Sequence, residues 1–459
     1  MADAVELGPA GRSDDPAADT GTAVLAFVEI TDESDATDRY LAPFVVVAGS
    51  DRAREAEPGD GVWRALAVAI AGGRVLGTEA GGVLVCRPGL ALPAFAPGGA
   101  RELAEWGERS LDADQSNTSM VLGERLILKT FRRVAVGLNP DLELTAFLAE
   151  ERGLRLVPAL AGSAEYVGLD GTVATVAMLQ ELVPDAEDAF ESAAGRLAGW
   201  IAAPGVVALE YATEDAAELG SVLAELHATL ADPGEVEAFA PRRAVPADLR
   251  AWRMHGERRL DEALALLAGD PVVGRDLLDW APAIRERLAA LERLTEPPLL
   301  TRIHGDLHLG QILRTPGGFV LVDFEGEPMR PIEERRQVAS PVHDVACLLQ
   351  SFDHVSSYAE RLATGDGWSP DEHTGLDVSA WRRRSRERLL RAYADGLRRS
   401  GTPITLDPDL LDGLAVAKEC DEFVYAAKYL PEWLYAADAG MRRLIVGEGD
   451  AGQPAGTSK

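Results

Sequence analysis

The second half of this chain carries helical patterns almost throughout, with one interruption. Gln311–Arg314, the turn Thr315-Pro-Gly-Gly318 and Phe319–Phe324 spell a β-hairpin. The first half has the opposite character. Strands are predicted at 23–30, 41–48 and 82–86 with a helix at 61–71, a small α/β cap covering 23–100. Within 101–184, Met120–Gly123 and Arg125–Arg132 predict a hairpin turning at Gly123-Glu124. Asn139-Pro140-Asp141 opens a helix over Leu142–Arg152, with Asn as the cap and Pro in the first turn. Strands follow at Leu154–Leu160 and Thr172–Leu182, and Pro184 ends them. Over 185–446, Leu219, Val222, Leu223, Leu226 and Leu230 recur at helical spacing. Further helical patterns cover 247–296, 341–360, 378–400 and 408–437. Strands first and helices afterwards argue for an α+β arrangement. Residues 1–22 and 447–459, rich in small and polar residues, are expected to be loose tails, and Ala94–Ala100 a linker.

Charge narrows the function classes. There are 45 basic against 75 acidic residues, a net −30, which argues against nucleic acid or an anionic membrane as the partner. No stretch reaches 18 apolar residues, so no membrane span is expected. Cys86, Cys347 and Cys420 are far apart and odd in number, which argues against a disulfide framework and fits a reducing cytoplasm.

The hairpin and the loop before it carry the chemistry. In His304-Gly-Asp-Leu-His-Leu-Gly-Gln311, Asp306 sits in a Gly-flanked loop and Gln311 follows five residues later. Asp323 lies twelve beyond Gln311, at the end of the second strand. A hairpin brings Gln311 and Asp323 together at its open end, beside the loop of Asp306. Two oxygen ligands and one carboxylate suit Mg²⁺ plus a catalytic base. Protein kinases use the same logic for phosphoryl transfer. Glu325, two residues past Asp323, is a candidate aid to the metal. The plainer alternative is a polar hairpin with capping carboxylates.

The strand-rich segment supplies the nucleotide half. Lys129 stands on the apolar strand Leu126-Ile-Leu-Lys129, and Glu143, fourteen residues on, is the natural partner for a buried ammonium. An edge-strand surface charge is the alternative for Lys129. In Asp114-Gln-Ser-Asn-Thr-Ser119, Ser116, Asn117, Thr118 and Ser119 are small hydroxyl and amide residues whose backbone N–H groups could cap phosphates. Met178-Leu-Gln-Glu-Leu-Val-Pro184 reads either as a plain strand end or as a hinge offering backbone groups of Gln180 and Leu182 to adenine. His308 is either structural or a substrate contact, and Asp344 either braces the catalytic loop or caps a helix.

Taken together, Asp114–Ser119, Ile127–Arg133, Arg302–Leu313 and Asp323–Pro328 closely resemble actinobacterial maltokinases, eukaryotic-kinase-like members of the aminoglycoside phosphotransferase superfamily. The resemblance runs from about residue 22 to 437. It implies a bilobal protein-kinase-like α+β fold with an N-terminal cap, a β-rich lobe and an α-helical lobe. It also implies Mg²⁺-dependent transfer from ATP to a sugar hydroxyl. Two departures stand out. The opening Gln-Arg-Trp segment of maltokinases is missing. In Lys418-Glu-Cys-Asp-Glu-Phe-Val-Tyr-Ala-Ala-Lys-Tyr-Leu-Pro-Glu-Trp433, Lys418, Glu422, Tyr425 and Trp433 match while Glu419 and Asp421 do not. The altered stretch is similar to that of the glucosamine kinase branch. Glu419 and Glu422, three apart on a helix, share a face, and an acidic pair favours an ammonium over a neutral hydroxyl. A solvated acidic face is the alternative. Asp421 joins the expected sugar set, and Trp433 is either a stacking platform or core. The expectation is a monomeric glucosamine kinase that uses ATP and Mg²⁺. A maltokinase, an aminoglycoside phosphotransferase and a regulatory pseudokinase remain as rivals.

Overall fold

The computed structural model describes residues 3–11, 21–31, 37–49, 52–111, 117–203, 208–232, 234–327, 330–364 and 378–447. The chain packs as two units, Met1–Ala186 with Val320–Arg336, and Glu187–Phe319 with Gln337–Lys459.

The first unit holds two sheets and one large hydrophobic cluster, with a smaller one around Phe131, Leu142, Leu160 and Met178. Strands β1 (Asp3–Ala10), β2 (Gly21–Thr31), β3 (Thr37–Val47) and β4 (Ala53–Glu55) form a four-stranded sheet in that order. The second sheet uses β5 (Val75–Gly77), β6 (Val83–Pro88), β7 (Glu108–Ser110), β8 (Thr118–Leu122), β9 (Leu126–Thr130), β10 (Leu160–Val167) and β11 (Val173–Glu181). Its order is β5-β6-β10-β11-β9-β8-β7. Helix α1 (Val62–Ala71) buries Val62, Leu66 and Ile70 in a core shared with Leu25, Phe27, Leu84, Leu128 and Val176.

Two expectations are corrected here. Asp3–Ala10 is a strand paired with β2, not part of a loose tail, and Ala4, Val5, Leu7 and Ala10 are buried. Residues 12–20 lie outside the described residues. The strand is anchored by Asp3, whose carboxylate accepts from Thr78 Oγ1 at 2.6 Å, Ala80 N at 2.8 Å and Tyr166 Oη at 2.8 Å. Burial pushes this carboxyl up, but those donors outweigh burial and hold its pKa below the ordinary value. The cap is also not separate from the β-rich segment. β6 pairs with β10, and Ala96 of the expected linker, with Leu92 and Leu103 on either side of it, lies in the common core.

Helix α2 (Pro140–Ala146) starts as predicted, with Asn139 Oδ1 accepting from Asp141 N at 2.8 Å, and continues into one wider turn at Phe147–Glu151. The strand expected at Leu154–Leu160 begins instead at Leu160.

The second unit is mostly helical: α3 (Ala189–Ala202), α4 (Glu214–Ala231), α5 (Pro246–Leu266), α6 (Val273–Ala290), α7 (Val342–Thr364), α8 (Val378–Ser400), α9 (Pro408–Tyr429) and α10 (Leu434–Val446). The five apolar residues singled out in α4 are all buried. Pro431 splits the single helix expected at 408–437 into α9 and α10, since a proline cannot donate to the preceding turn. The predicted hairpin is present as β12 (Ile312–Thr315) and β13 (Gly318–Leu321), and Glu187–Asp188 pairs with β12. Along β13 the chain returns to the first unit. Leu260, Ile284, Leu288, Phe423 and Met441 centre a core built from α5, α6, α9 and α10. Among the described residues no helix is long and apolar enough to cross a membrane. Apart from Gly447, the expected C-terminal tail lies outside the described residues.

Candidate active site

In the first unit the site grows from Lys129. Its position on β9 buries it to 7% exposure, so its ammonium needs partners. Its Nζ lies 2.8 Å from Asp141 Oδ2, 2.6 Å from Asp323 Oδ1 and 2.8 Å from Glu325 Oε1. The expected partner, Glu143, is therefore replaced by Asp141. Asn139 caps the helix, and both carboxylates fall in its first turn, where the helix dipole favours them; it is Asp141 that meets Lys129. There it also accepts from Phe324 N at 2.9 Å. Glu143, one step further round, is held by Arg336 at 2.7 and 3.0 Å.

Burial alone would lower the Lys129 pKa, but the three carboxylates hold it well above its ordinary value. Glu325 is pushed up by burial and by Asp323 and Asp141, against the pull of Lys129. Lys129, together with Arg335 at 3.6 Å from Glu325 Oε2, sets two cations against three acids and leaves surplus negative charge. Asp141, Asp323 and Glu325 each offer an oxygen, all within 4.8 Å of one another, a donor set that fits a hard divalent cation. Asp323 adopts φ of 65°, a left-handed conformation uncommon for a side-chain-bearing residue and frequent at functional sites.

The other nucleotide candidates divide. Asn117 is buried, and its amide donates to Glu325 Oε1. Thr118 and Ser119 lie within β8 rather than in a loop, with Ser119 opposite Lys129. Ser116 lies outside the described residues. Gln180 ends β11 opposite Ile127. The Leu182 amide donates to Arg125 O at 2.9 Å, so its donor is already used within the protein.

The second unit holds Asp306, the candidate base. Asp306 Oδ1 lies 3.4 Å from Lys418 Nζ, which also lies 3.0 Å from Glu422 Oε1. Burial pushes the Asp306 carboxyl up. Lys418, His308 and His304 more than offset this and hold it below the ordinary carboxylate value, so it is ionised at neutral pH. Asp344 braces the loop: its Oδ2 accepts from His304 N and its Oδ1 from Gly305 N, both at 2.9 Å. Ser351 Oγ accepts from Leu309 N at 2.9 Å. Gln311 closes the single 3₁₀ turn Leu309–Gln311, and His308 Nδ1 accepts from Gly310 N at its start.

The expected sugar residues separate. Asp421 is turned onto α5, where His255 Nε2 lies 3.1 Å from both oxygens and Arg259 Nε donates at 2.6 Å. It is a helix-to-helix bridge, which corrects the expectation that it joins a sugar pocket. Glu419 is only 2% exposed, and a Cβ at Gly440 of α10 would lie 2.3 Å from its Oε1. Burial, Asp353 and Glu422 raise its pKa well above the ordinary value. Glu419 and Glu422 thus have different environments and do not act as a symmetric acidic pair. Trp433 is half-buried between Tyr358 and Tyr435, with ring centroids 6.3 and 6.1 Å away and nearly parallel planes. Asp141 and Lys418 were not among the expected site residues. Asp141 was signalled by its place just after the Asn139 cap, and Lys418 by its place in the stretch compared with maltokinases.

The pattern of the phosphotransferase enzyme family matches residues 108–385, which span β7 to α8 and contain Lys129, Asp306 and Asp323. The chain belongs to the phosphotransferase enzyme family. Within that family it is similar to a glucosamine kinase of Streptacidiphilus jiangxiensis, 32% identical over 89% of this chain and 86% of the relative. A glucosamine kinase of Mycolicibacterium smegmatis is 30% identical over 74% of this chain and 80% of its own length. A solved glucosamine kinase in complex with glucosamine, ADP and inorganic phosphate superposes with a TM-score of 0.69 at 26% identity, covering 95% and 92% of the two chains. The α+β class expected from the strand-then-helix order, and the kinase-like fold that the resemblance implied, are thus shared with a solved phosphoryl-transfer enzyme.

Proposed function

We propose that this phosphotransferase moves the γ-phosphoryl group of ATP to D-glucosamine, giving ADP and glucosamine 6-phosphate. The carrying observation is the Lys129 ammonium held among Asp141, Asp323 and Glu325, a set suited to a nucleotide's phosphates and their cation. The choice of sugar is supported by the two relatives named glucosamine kinase.

Asp306 accepts the proton of the sugar hydroxyl as that oxygen bonds to the γ-phosphorus. The bond from the γ-phosphorus to the bridging oxygen breaks, and ADP leaves with the electron pair. Lys418 keeps Asp306 ionised beforehand, and Asp344 holds the backbone on which it stands. Asp141, Asp323 and Glu325 would hold Mg²⁺, with Gln311 as the further ligand implied by the kinase resemblance; the ion supplies charge neutralisation at the phosphates. Lys129 contributes a second positive charge. Glu422 is the charged group for the sugar ammonium, with Glu419 and Trp433 as supporting residues and His308 as a hydroxyl contact. As an ATP consumer with three free, buried cysteines, the enzyme fits a reducing cytoplasm, and a monomer is the state we assign it.

ADP release measured with glucosamine, glucose, maltose and kanamycin tests the assignment, with phosphorus NMR locating the product phosphate. Glucosamine should be turned over with the highest kcat/KM. Preferred turnover of maltose would make the enzyme a maltokinase. No sugar-dependent ADP release would indicate a regulatory pseudokinase. Glu422→Gln should raise KM for glucosamine far more than KM for glucose, and equal changes would remove Glu422 from ammonium recognition.

A further inference from the structure

Behind Asp344 lies a buried polar chain that the phosphoryl-transfer chemistry does not itself require. His227 on α4 and Tyr393 on α8 are both fully buried, with rings meeting edge-on at 5.6 Å. His227 Nδ1 lies 2.9 Å from Tyr393 Oη, and His227 Nε2 lies 3.2 Å from Asp344 Oδ2. The contact depends on a close crossing of the two helices. A Cβ at Gly220 of α4 would lie 2.3 Å from Leu389 O, and one at Gly396 of α8 would lie 2.4 Å from Ala224 Cβ.

We infer that Tyr393 is a positioning residue for Asp306, acting through the tautomer of His227. This rests on Asp306 being the proton acceptor. The chemistry follows from donor and acceptor capacities. Ionised Asp344 only accepts, so His227 Nε2 carries the proton and donates to it. Nδ1 of the neutral ring is then an acceptor, and the Tyr393 hydroxyl donates to it. With both ring nitrogens engaged, the imidazole can neither flip nor change tautomer without losing a buried hydrogen bond. Asp344 is thereby held with Oδ2 toward His304 N and Oδ1 toward Gly305 N, the two amides immediately before Asp306. A phenylalanine at 393 would keep the ring packing and remove only the donor. The ring of His227 could then move its proton to Nδ1 and turn a lone pair toward Asp344, which would loosen the loop.

The test joins steady-state kinetics to ¹⁵N NMR of the full-length enzyme labelled at histidine, with His227 assigned by a His227→Gln spectrum. Wild type should show the Nε2–H tautomer with Nδ1 shifted as a hydrogen-bonded acceptor. Tyr393→Phe should change that Nδ1 resonance and lower kcat about tenfold. KM for ATP and for glucosamine should stay within about twofold, since neither substrate touches Tyr393 in this account. An unchanged kcat would overturn the inference, as would a lowered kcat with an unchanged Nδ1 resonance. If the variant does not fold, the wild-type spectrum still decides, because an Nδ1–H tautomer contradicts the chain of bonds. Full turnover by Asp306→Asn would instead sink the base assignment, an outcome read independently of the His227 spectrum.

Discussion

The Lys129 cluster and the Asp306 cluster are built from the same two kinds of group in different proportion, three carboxylates around Lys129 and two around Lys418. At Lys129 one ammonium faces three carboxylates, and burial with like charge raises the pKa of Glu325. At Asp306 a carboxylate is matched by Lys418 and two nearby histidines, and its pKa is lowered. The first arrangement is short of positive charge and gains from a divalent ion. The second shares the Lys418 ammonium between Asp306 and Glu422 and keeps Asp306 ionised. A buried charge has to be compensated, and the sign left over tells what each site is prepared to take in.

The largest expected effect lies at Asp306. Asp306→Asn should lower kcat by about 10³-fold or more, within the range for loss of a general base, while calorimetry shows ATP binding within a few-fold of wild type. Retained turnover would break the contrast, because the second cluster would then hold no proton acceptor. Next comes Lys129→Met, with kcat/KM for ATP down by about 10²-fold. In this variant three carboxylates lose the one ammonium that touches them all, leaving Arg335 on Glu325 alone, so adding MgCl₂ should raise Tm more than it does in wild type. An equal Mg²⁺ response in both proteins would mean that the acids are not short of positive charge.

Smaller effects sharpen the assignment of partners. Asp141→Asn should cost about tenfold in kcat/KM for ATP, the scale of a group that orients a ligand-holding side chain. Glu143→Gln should change it less, since Glu143 pairs with Arg336 at 2.7 Å and not with Lys129. The reverse order would restore Glu143 as the Lys129 partner. The subtlest effect concerns pH. Lys418 helps to hold the Asp306 pKa below the ordinary value, so the acidic fall in kcat/KM should come at low pH in wild type. In Lys418→Met burial acts with less opposition, and the fall should move to higher pH. A pH–rate profile with an unmoved acidic limb would show that Lys418 does not set the charge on Asp306.

Much of this was readable from the chain because it depends on neighbours in sequence. The hairpin at 312–321, the Asn139 cap and the buried stripe of α4 are written in turn residues and periodicity, which act over a few positions. The N-terminal strand was missed because Asp3–Ala10 is short and rich in small residues, and its stability comes from Thr78, Ala80 and Tyr166, which are remote in sequence. Asp421 misled for another reason. Its spacing from Glu419 and Glu422 says little about which neighbouring helix it faces, and His255 and Arg259 settle that from α5.

By itself the sequence determined the α+β class, the isolated hairpin and the identity of Lys129, Asp306 and Asp323 as the groups of interest. These follow from local spacing and from the rarity of charge on apolar strands. Only the tertiary structure decided that Asp141 rather than Glu143 meets Lys129, that Lys418 restrains Asp306, and that Tyr393 stands behind His227. Pairings of this kind depend on the rotation and closeness of packed elements. A hydrogen bond or ion pair changes with displacements of an ångström, which residue order does not encode on its own.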